Sequence, residues 1–396
     1  MMSASFPSEA FALYRLPHAD SYTALEGSTQ EFTSCVQLNG QSGFVVAPFE
    51  VRPDQPIVLI RPELVEERDF SRGTRYEVRG TRLPLVQQYT RINYPRTSHL
   101  APRTSILDPR TSKNNYAIDF ANFHAQLQQG TFRKIVLSRC SEQRVQSPVD
   151  DKELFLRACQ LYPRMFIALV HTPQSGTWLT ATPEILLEGS GSDWRTIALA
   201  GTMKLEPEQL GGEGENVRWS TKNIEEQRIV ATYIAECLER FTDDFREEGP
   251  RTVRAANLVH LRSDFTFKLA SNDCIGDLLQ ALHPTPAVCG IPKRDAFQFI
   301  IRNEHTPRRY YSGFMGPLKT PSGSPCLGGE KASPKQGRLE GSTHLYVSLR
   351  CMNIESDRYR LYAGGGLLKD STEEQEWLET EAKLETMRRC IAISKA

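Results

Sequence analysis

The sequence carries no excess charge of either sign: 48 basic and 48 acidic residues leave a formal net charge of zero at pH 7. That removes the electrostatic basis for gripping nucleic acid or an anionic membrane face, so neither is expected as a partner. Its nine cysteines show no CxxC and no paired spacing. Such usage argues for reduced thiols, against a disulfide framework or a zinc site. No apolar run approaches bilayer-spanning length, no basic stretch leads into an apolar one as in a signal peptide, and no internal repeat is found. The expectation is a soluble, cytoplasmic protein. At 396 residues, 39% of them hydrophobic, the chain is long enough for two or three domains or for one large-sheet enzyme.

Residues 1–115 are weakly patterned, with short strands at 43–47 and 57–60 between proline-rich turns and a Pro/Arg/Ser/Thr-rich connection over 94–113. From Tyr116 the signals sharpen. A helix ending at Gly130 precedes the strand KIVLSRC, and a second helix covers 152–162. MFIALVHT, TWLTATPEILLEG and WRTIALAG then read as three consecutive strands. After a polar loop at 206–216 come a helix over 221–241, strands near 258–261 and 265–269, short helices at GDLLQAL and KRDAFQFIIRNE, and the strand-like YYSGFMGPL. Residues 321–341, dense in Gly, Pro and Ser, read as a loop. Strands grouped in meanders among helices, without regular βαβ alternation, predict an α+β fold with largely antiparallel sheets.

The C-terminal end concentrates candidate chemistry. LYVSLRCMNI reads as a strand with Tyr346, Ser348 and Arg350 on one face. A second strand runs into Gly364, Gly365 and Gly366, where backbone can approach a ligand closely. Ser371 and Glu374 have capping-box spacing, and Trp377, Leu384 and Ile391 form a stripe on the helix that follows. Glu379 and Lys383, four apart and off that stripe, read from spacing alone as a solvated pair. On the 221–241 helix, Glu226 falls within the stripe of Ile229, Val230, Tyr233 and Cys237, while Glu225 points away. A carboxylate there needs either a cationic side chain or a bound cation, and Mg²⁺ is held by one or two carboxylates with water and an anionic substrate. Lys134 opens an apolar strand, as an edge lysine reaching water or a desolvated general base. Glu184 follows Pro183 at a turn, where partial burial suits a general acid. His283 opens the loop HPTPAVCG.

KIVLSR, TPEILLEG, IALAGT, KNIEEQRIV, LHPTPAVCGIPK, YYSGFMGP, VSLRC, LYAGGG and EWLETEAK, in this order, resemble the chorismate-binding enzymes. That family includes isochorismate, anthranilate, aminodeoxychorismate and salicylate synthases. The resemblance runs from about Tyr116 to the C-terminus. It implies one α+β domain in which two large, mostly antiparallel sheets pack together with helices outside, residues 116–396 forming the catalytic core and 1–115 completing the sheets. It also implies chorismate as substrate and Mg²⁺ held by Glu226 and Glu379. Arg350 would grip one substrate carboxylate through a bidentate fork, and Lys383 with the backbone near Gly364 would hold another. Gly201 and Thr202 would line the same pocket, and His283 is similar to the family's active-site histidine.

Three features resemble the isochorismate synthase branch most: Lys134 where a water-activating base is needed, the HPTPAV loop, and the lack of a glutamine amidotransferase region in the sequence. The implied reaction is water attack at C2, with Lys134 as base, and loss of the C4 hydroxyl, with Glu184 as acid. It needs no obligatory protein partner and would serve menaquinone or siderophore synthesis. The alternatives are salicylate synthase and an amino-transferring synthase with a separate glutaminase. Departures from the family pattern are Gln227 in place of a common histidine, the 206–216 loop, and a long 321–341 loop.

Overall fold

Strands rich in apolar residues bury their faces against other layers, and among the described residues 16 of them pair in one continuous antiparallel ladder. The structure, a computed structural model, describes residues 10–70, 109–144, 149–204, 218–255, 258–319 and 341–391. The strands are β1 (Ala10–Arg15), β2 (Ser21–Phe32), β3 (Gly43–Ala47), β4 (Ile57–Asp69), β5 (Lys134–Arg144), β6 (Phe166–Thr172), β7 (Gly176–Thr182) and β8 (Ile185–Ser190). There follow β9 (Asp193–Lys204), β10 (Phe245–Ala255), β11 (Leu258–Lys268), β12 (Gly290–Ile291), β13 (Phe314–Leu318), β14 (Thr343–Val347), β15 (Cys351–Glu355) and β16 (Arg358–Leu367). The helices are α1 (Pro109–Gln128), α2 (Asp151–Leu161), α3 (Thr221–Leu238), α4 (Ile275–Leu282), α5 (Lys293–Asn303) and α6 (Glu373–Ile391). Across the ladder the order is β10-β11-β9-β8-β14-β13-β3-β4-β2-β1-β6-β7-β15-β16-β5-β12.

The ladder folds back on itself. Phe166 of β6 stacks on Tyr346 of β14 at 4.3 Å between ring centroids, planes 2° apart, although five strands separate β14 from β6 in the order above. The inner layer between the facing halves includes Phe44, Val46, Trp178 and Tyr362. On one outer face α3 and α4 pack Val230, Ile234 and Leu278 over Leu186 and Phe265. On the other, α2 and α6 pack Phe155, Leu384 and Met387 over Leu169 and Leu361. Helices α1 and α5 cover β5 through Phe123, Leu137 and Ile300. The expected pair of packed sheets with helices outside is therefore realised as two facing halves of one ladder. The N-terminal third supplies β1 to β4, which sit in the middle of that ladder. Among the described residues, no helix is long and apolar enough to cross a membrane.

Two links carry the chain from one half to the other. TWLTATPEILLEG is not one strand: β7 pairs with β6 and β15, whereas β8 pairs with β9 and β14, and Pro183–Glu184 joins them. Proline cannot donate to a ladder, which ends the first strand there. Nor is LYVSLRCMNI continuous, because Ser348–Arg350 interrupts it and Arg350 has φ of 47°. The links run side by side. The Val347 amide donates to the Glu184 carbonyl at 2.9 Å and the Ala181 amide to the Arg350 carbonyl at 3.2 Å. Thr180 Oγ1 donates to the Leu349 carbonyl at 2.9 Å. The expected strands near 258–261 and 265–269 are one strand, β11. The 206–216 loop lies outside the described residues, as do 94–108 of the first connection and 321–340 of the last.

Candidate active site

Both links open into one cavity, so strand-breaking and site-building coincide. Its wall includes Glu184 and Arg350 from the links, Thr202 and His260 from β9 and β11, Glu226 from α3 and Lys383 from α6. Glu184 is buried, and burial raises its carboxyl to about 8 in spite of the opposing pull of Lys134, Lys383 and Arg350. It is thereby a proton donor near neutrality. Arg350 is equally buried, and burial lowers its guanidinium to about 10 while Tyr162 and Glu184 act the other way. Its Nη2 donates to His260 Nε2. That fixes the His260 tautomer with its proton on Nδ1, which lies 3.3 Å from Thr202 Oγ1. Burial, then Arg350 and Lys383, hold His260 well below its ordinary value, so it is a neutral prop beneath the guanidinium.

Thr202 reaches His260 because of a bulge. In the β9–β11 pairing Thr202 faces His260 and Ala200 faces Leu261, leaving Gly201 unpaired. Gly201 has φ of 68°, the left-handed conformation that a glycine adopts at such a bulge without steric cost. Gln227, on α3, secures this edge. Its Oε1 accepts from the Ala200 amide at 2.9 Å, and its Nε2 donates to the Ala198 carbonyl at 3.1 Å and to Ser263 Oγ at 3.3 Å. The glutamine that departs from the family's histidine thus has a defined structural role.

Lys134 is fully buried and stands behind the cavity wall, its Nζ 2.9 Å from Glu226 Oε1. The two form an ion pair that is wholly buried on the lysine side. Burial opposes ionisation of Glu226, but Lys134, with Lys222 and Lys383 behind it, holds the carboxyl below its usual range. The Glu226 side chain lies over Gly366: a Cβ there would come within 2.1 Å of Oε1 and 2.9 Å of Lys134 Cε. Gly366→Ala is therefore expected to fold, since a flexible carboxylate can move aside, but to lose about 10- to 100-fold in activity as the Lys134–Glu226 contact is displaced. Turnover within twofold of wild type would contradict that placement.

Glu379 does not line the cavity. It sits behind Lys383, whose Nζ donates to Glu379 Oε1 at 2.7 Å and to the Gly364 carbonyl at 2.8 Å. Beside it stands Glu376, which sequence reasoning missed. A Cβ on Gly365 would meet Glu376 Oε2 at 2.8 Å and Glu379 Oε1 at 3.8 Å. Glu376 is 1% exposed, and its Oε2 is buried without a hydrogen-bond partner. Burial and the neighbouring Glu379 raise it to about 7, against Lys222 and Ser371. Ser371 gives its hydroxyl to Glu376 Oε1 at 2.8 Å, not to the expected capping box. Among the described residues, no three His, Cys, Asp or Glu side chains close around a single point. The oxygen donors of Glu226, Glu376 and Glu379 nonetheless suit a hard divalent cation that keeps water and substrate in its shell.

His283 stands apart from these residues. It does not line the cavity. Its Nε2 lies 3.2 Å from the Pro48 carbonyl and its ring stands edge-on to Phe314 at 5.0 Å, while burial and Lys293 lower it to about 3. Only Ala287 and Val288 of its loop reach the cavity. The histidine at the site is His260. Its signal was a lone imidazole in the apolar run LVHL, on a strand whose neighbours bury.

Comparison with known proteins gives four findings. A model of the family described as chorismate binding enzyme matches residues 72–324 and 337–392. The sequence is 29% identical over 257 residues to isochorismate synthase EntC of Escherichia coli, covering 64% of this chain and 61% of EntC. It is 29% identical over 279 residues to isochorismate synthase DhbC of Bacillus subtilis, covering 68% and 65%. Each match spans less than two thirds of the relative's length. The fold superposes on MenF, the menaquinone-specific isochorismate synthase from Escherichia coli, with a TM-score of 0.74 at 22% identity, covering 98% of this chain and 90% of that one.

Proposed function

Because this chain belongs to the chorismate binding enzymes, the family matched over most of its length, we propose that it is an isochorismate synthase. The observation that carries the reading is the pairing of a buried, protonated-range carboxyl, Glu184, with a buried lysine, Lys134. Glu184 lines the cavity with two cations, Arg350 and Lys383, and Lys134 stands behind the wall against Glu226. Two cations suit the two carboxylates of chorismate, and an acid with a base suits moving a hydroxyl around a ring.

Arg350, braced by His260, holds one carboxylate through its guanidinium. Lys383, tied to the Gly364 carbonyl, holds the other. Lys134 takes a proton from the water that adds at C2, the ring double bond shifts, and Glu184 gives its proton to the hydroxyl leaving C4. One water enters and one leaves, so the reaction is an isomerisation. Enzymes of this family are Mg²⁺-dependent in general, and Glu226, Glu376 and Glu379 are the residues that would hold the ion here. When bound, it supplies charge neutralisation at the ring carboxylate.

Incubation with chorismate and Mg²⁺, with and without ammonium, followed by chromatography, tests the reading. Isochorismate in both mixtures is expected. Salicylate with pyruvate, or an aminated product only with ammonium, would reassign the chain within the family.

A further inference from the structure

Three lysines meet the three carboxylates at the glycine end of β16, and one of them, Lys222, takes no part in the chemistry above. Lys222 lies in the first turn of α3, its side chain 21% exposed, paired to Glu376 Oε1. A lysine there meets the positive end of the helix dipole, so helix preference does not account for its place. Glu376 does, and Glu226 and Glu379 lie within electrostatic reach of the same ammonium. The second Glu376 oxygen, buried without a partner, faces Gly365.

We infer that Lys222 is an internal counter-cation that competes with a divalent metal ion for Glu226, Glu376 and Glu379. This rests on the metal reading given above. A metal ion drawing on these oxygens must share them with the ammonium or displace it towards solvent, and either weakens its binding. The short aliphatic path from α3 to Glu376 lets the side chain swing outward, so the competition is reversible. Lys134 and Lys383 are less free to yield, the first being fully buried and the second tied to the Gly364 carbonyl.

The test is Mn²⁺ binding to the full chain without substrate, read from the free-ion paramagnetic resonance signal at mildly alkaline pH. Lys222→Met is expected to bind Mn²⁺ about tenfold or more tightly than wild type, and Lys222→Arg to behave like wild type. Adding Glu226→Gln to Lys222→Met should remove the gain. Lys222→Gln provides the same measurement should the methionine variant melt early in chelator. Equal or weaker binding in the folded neutral variants overturns the inference. If Glu226→Gln leaves wild-type Mn²⁺ binding unchanged, the metal reading itself fails. If it abolishes binding while the neutral variants gain nothing, only the role of Lys222 fails.

Discussion

Lys134→Ala is expected to lower turnover of chorismate by about two to four orders of magnitude, the range for a general acid–base group, while chorismate still binds. The proposed substrate contacts, Arg350 and Lys383, are left in place by the substitution. Lys134→Arg separates base from charge: it keeps a cation beside Glu226, but a guanidinium does not give up its proton in proteins, so it should be as slow as alanine. Because Lys134 is fully buried against Glu226, the alanine variant also strands a buried carboxylate. Breaking such pairs costs about 3–5 kcal/mol, so its melting temperature should fall while that of the arginine variant falls less. Single-turnover rates and substrate titration on the folded protein check this. Near-normal turnover in the alanine variant, or rescue by arginine, would remove Lys134 from the proposed chemistry.

Glu184→Gln should cost a similar two to four orders, roughly, because glutamine keeps the shape and loses the proton. The wild-type pH profile gives a second readout. The acid must be protonated and its carboxyl is raised to about 8, so kcat/KM should hold below that pH and fall above it. Stability follows the same sign. A carboxyl raised above its unfolded value contributes fully below the unfolded value of 4.5 and loses that contribution as pH rises through about 8. Glu184→Gln should abolish the falling limb in residual activity and flatten the stability curve over that window. A limb that survives the substitution would assign it to another group.

The sequence disclosed the catalytic elements better than the way they are joined. Glu226 was legible because a carboxylate on an apolar helical stripe needs an explanation, and it is buried against Lys134. The glycine run was legible because three glycines at a strand end imply close approach, and Gly366 does lie under Glu226. Alternation carried past Pro183 and past Ser348 treated four strands as two, because period two reports burial and not which half of a folded ladder supplies it. Arg350 reaches the cavity through a left-handed backbone turn that no alternation rule foresees. His260 went unnoticed because a histidine in an apolar strand is inconspicuous, whereas His283 in its proline-rich loop stands out. Glu376 went unnoticed among the many acids of α6, since only tertiary burial sets it apart.

The twin links also bear on how geometry survives motion. Glu184 and Arg350 ride on adjacent backbone segments that are hydrogen-bonded to each other, much as two rivets share one spine. Lys134 belongs to β5, on the leaf carrying β16. Because the same segments continue into β7 and β15, which adjoin β16 and β5, proton donor, carboxylate grip and lysine would keep their spacing were the leaves to breathe apart. Opening would then change access to the cavity and leave the three groups in register.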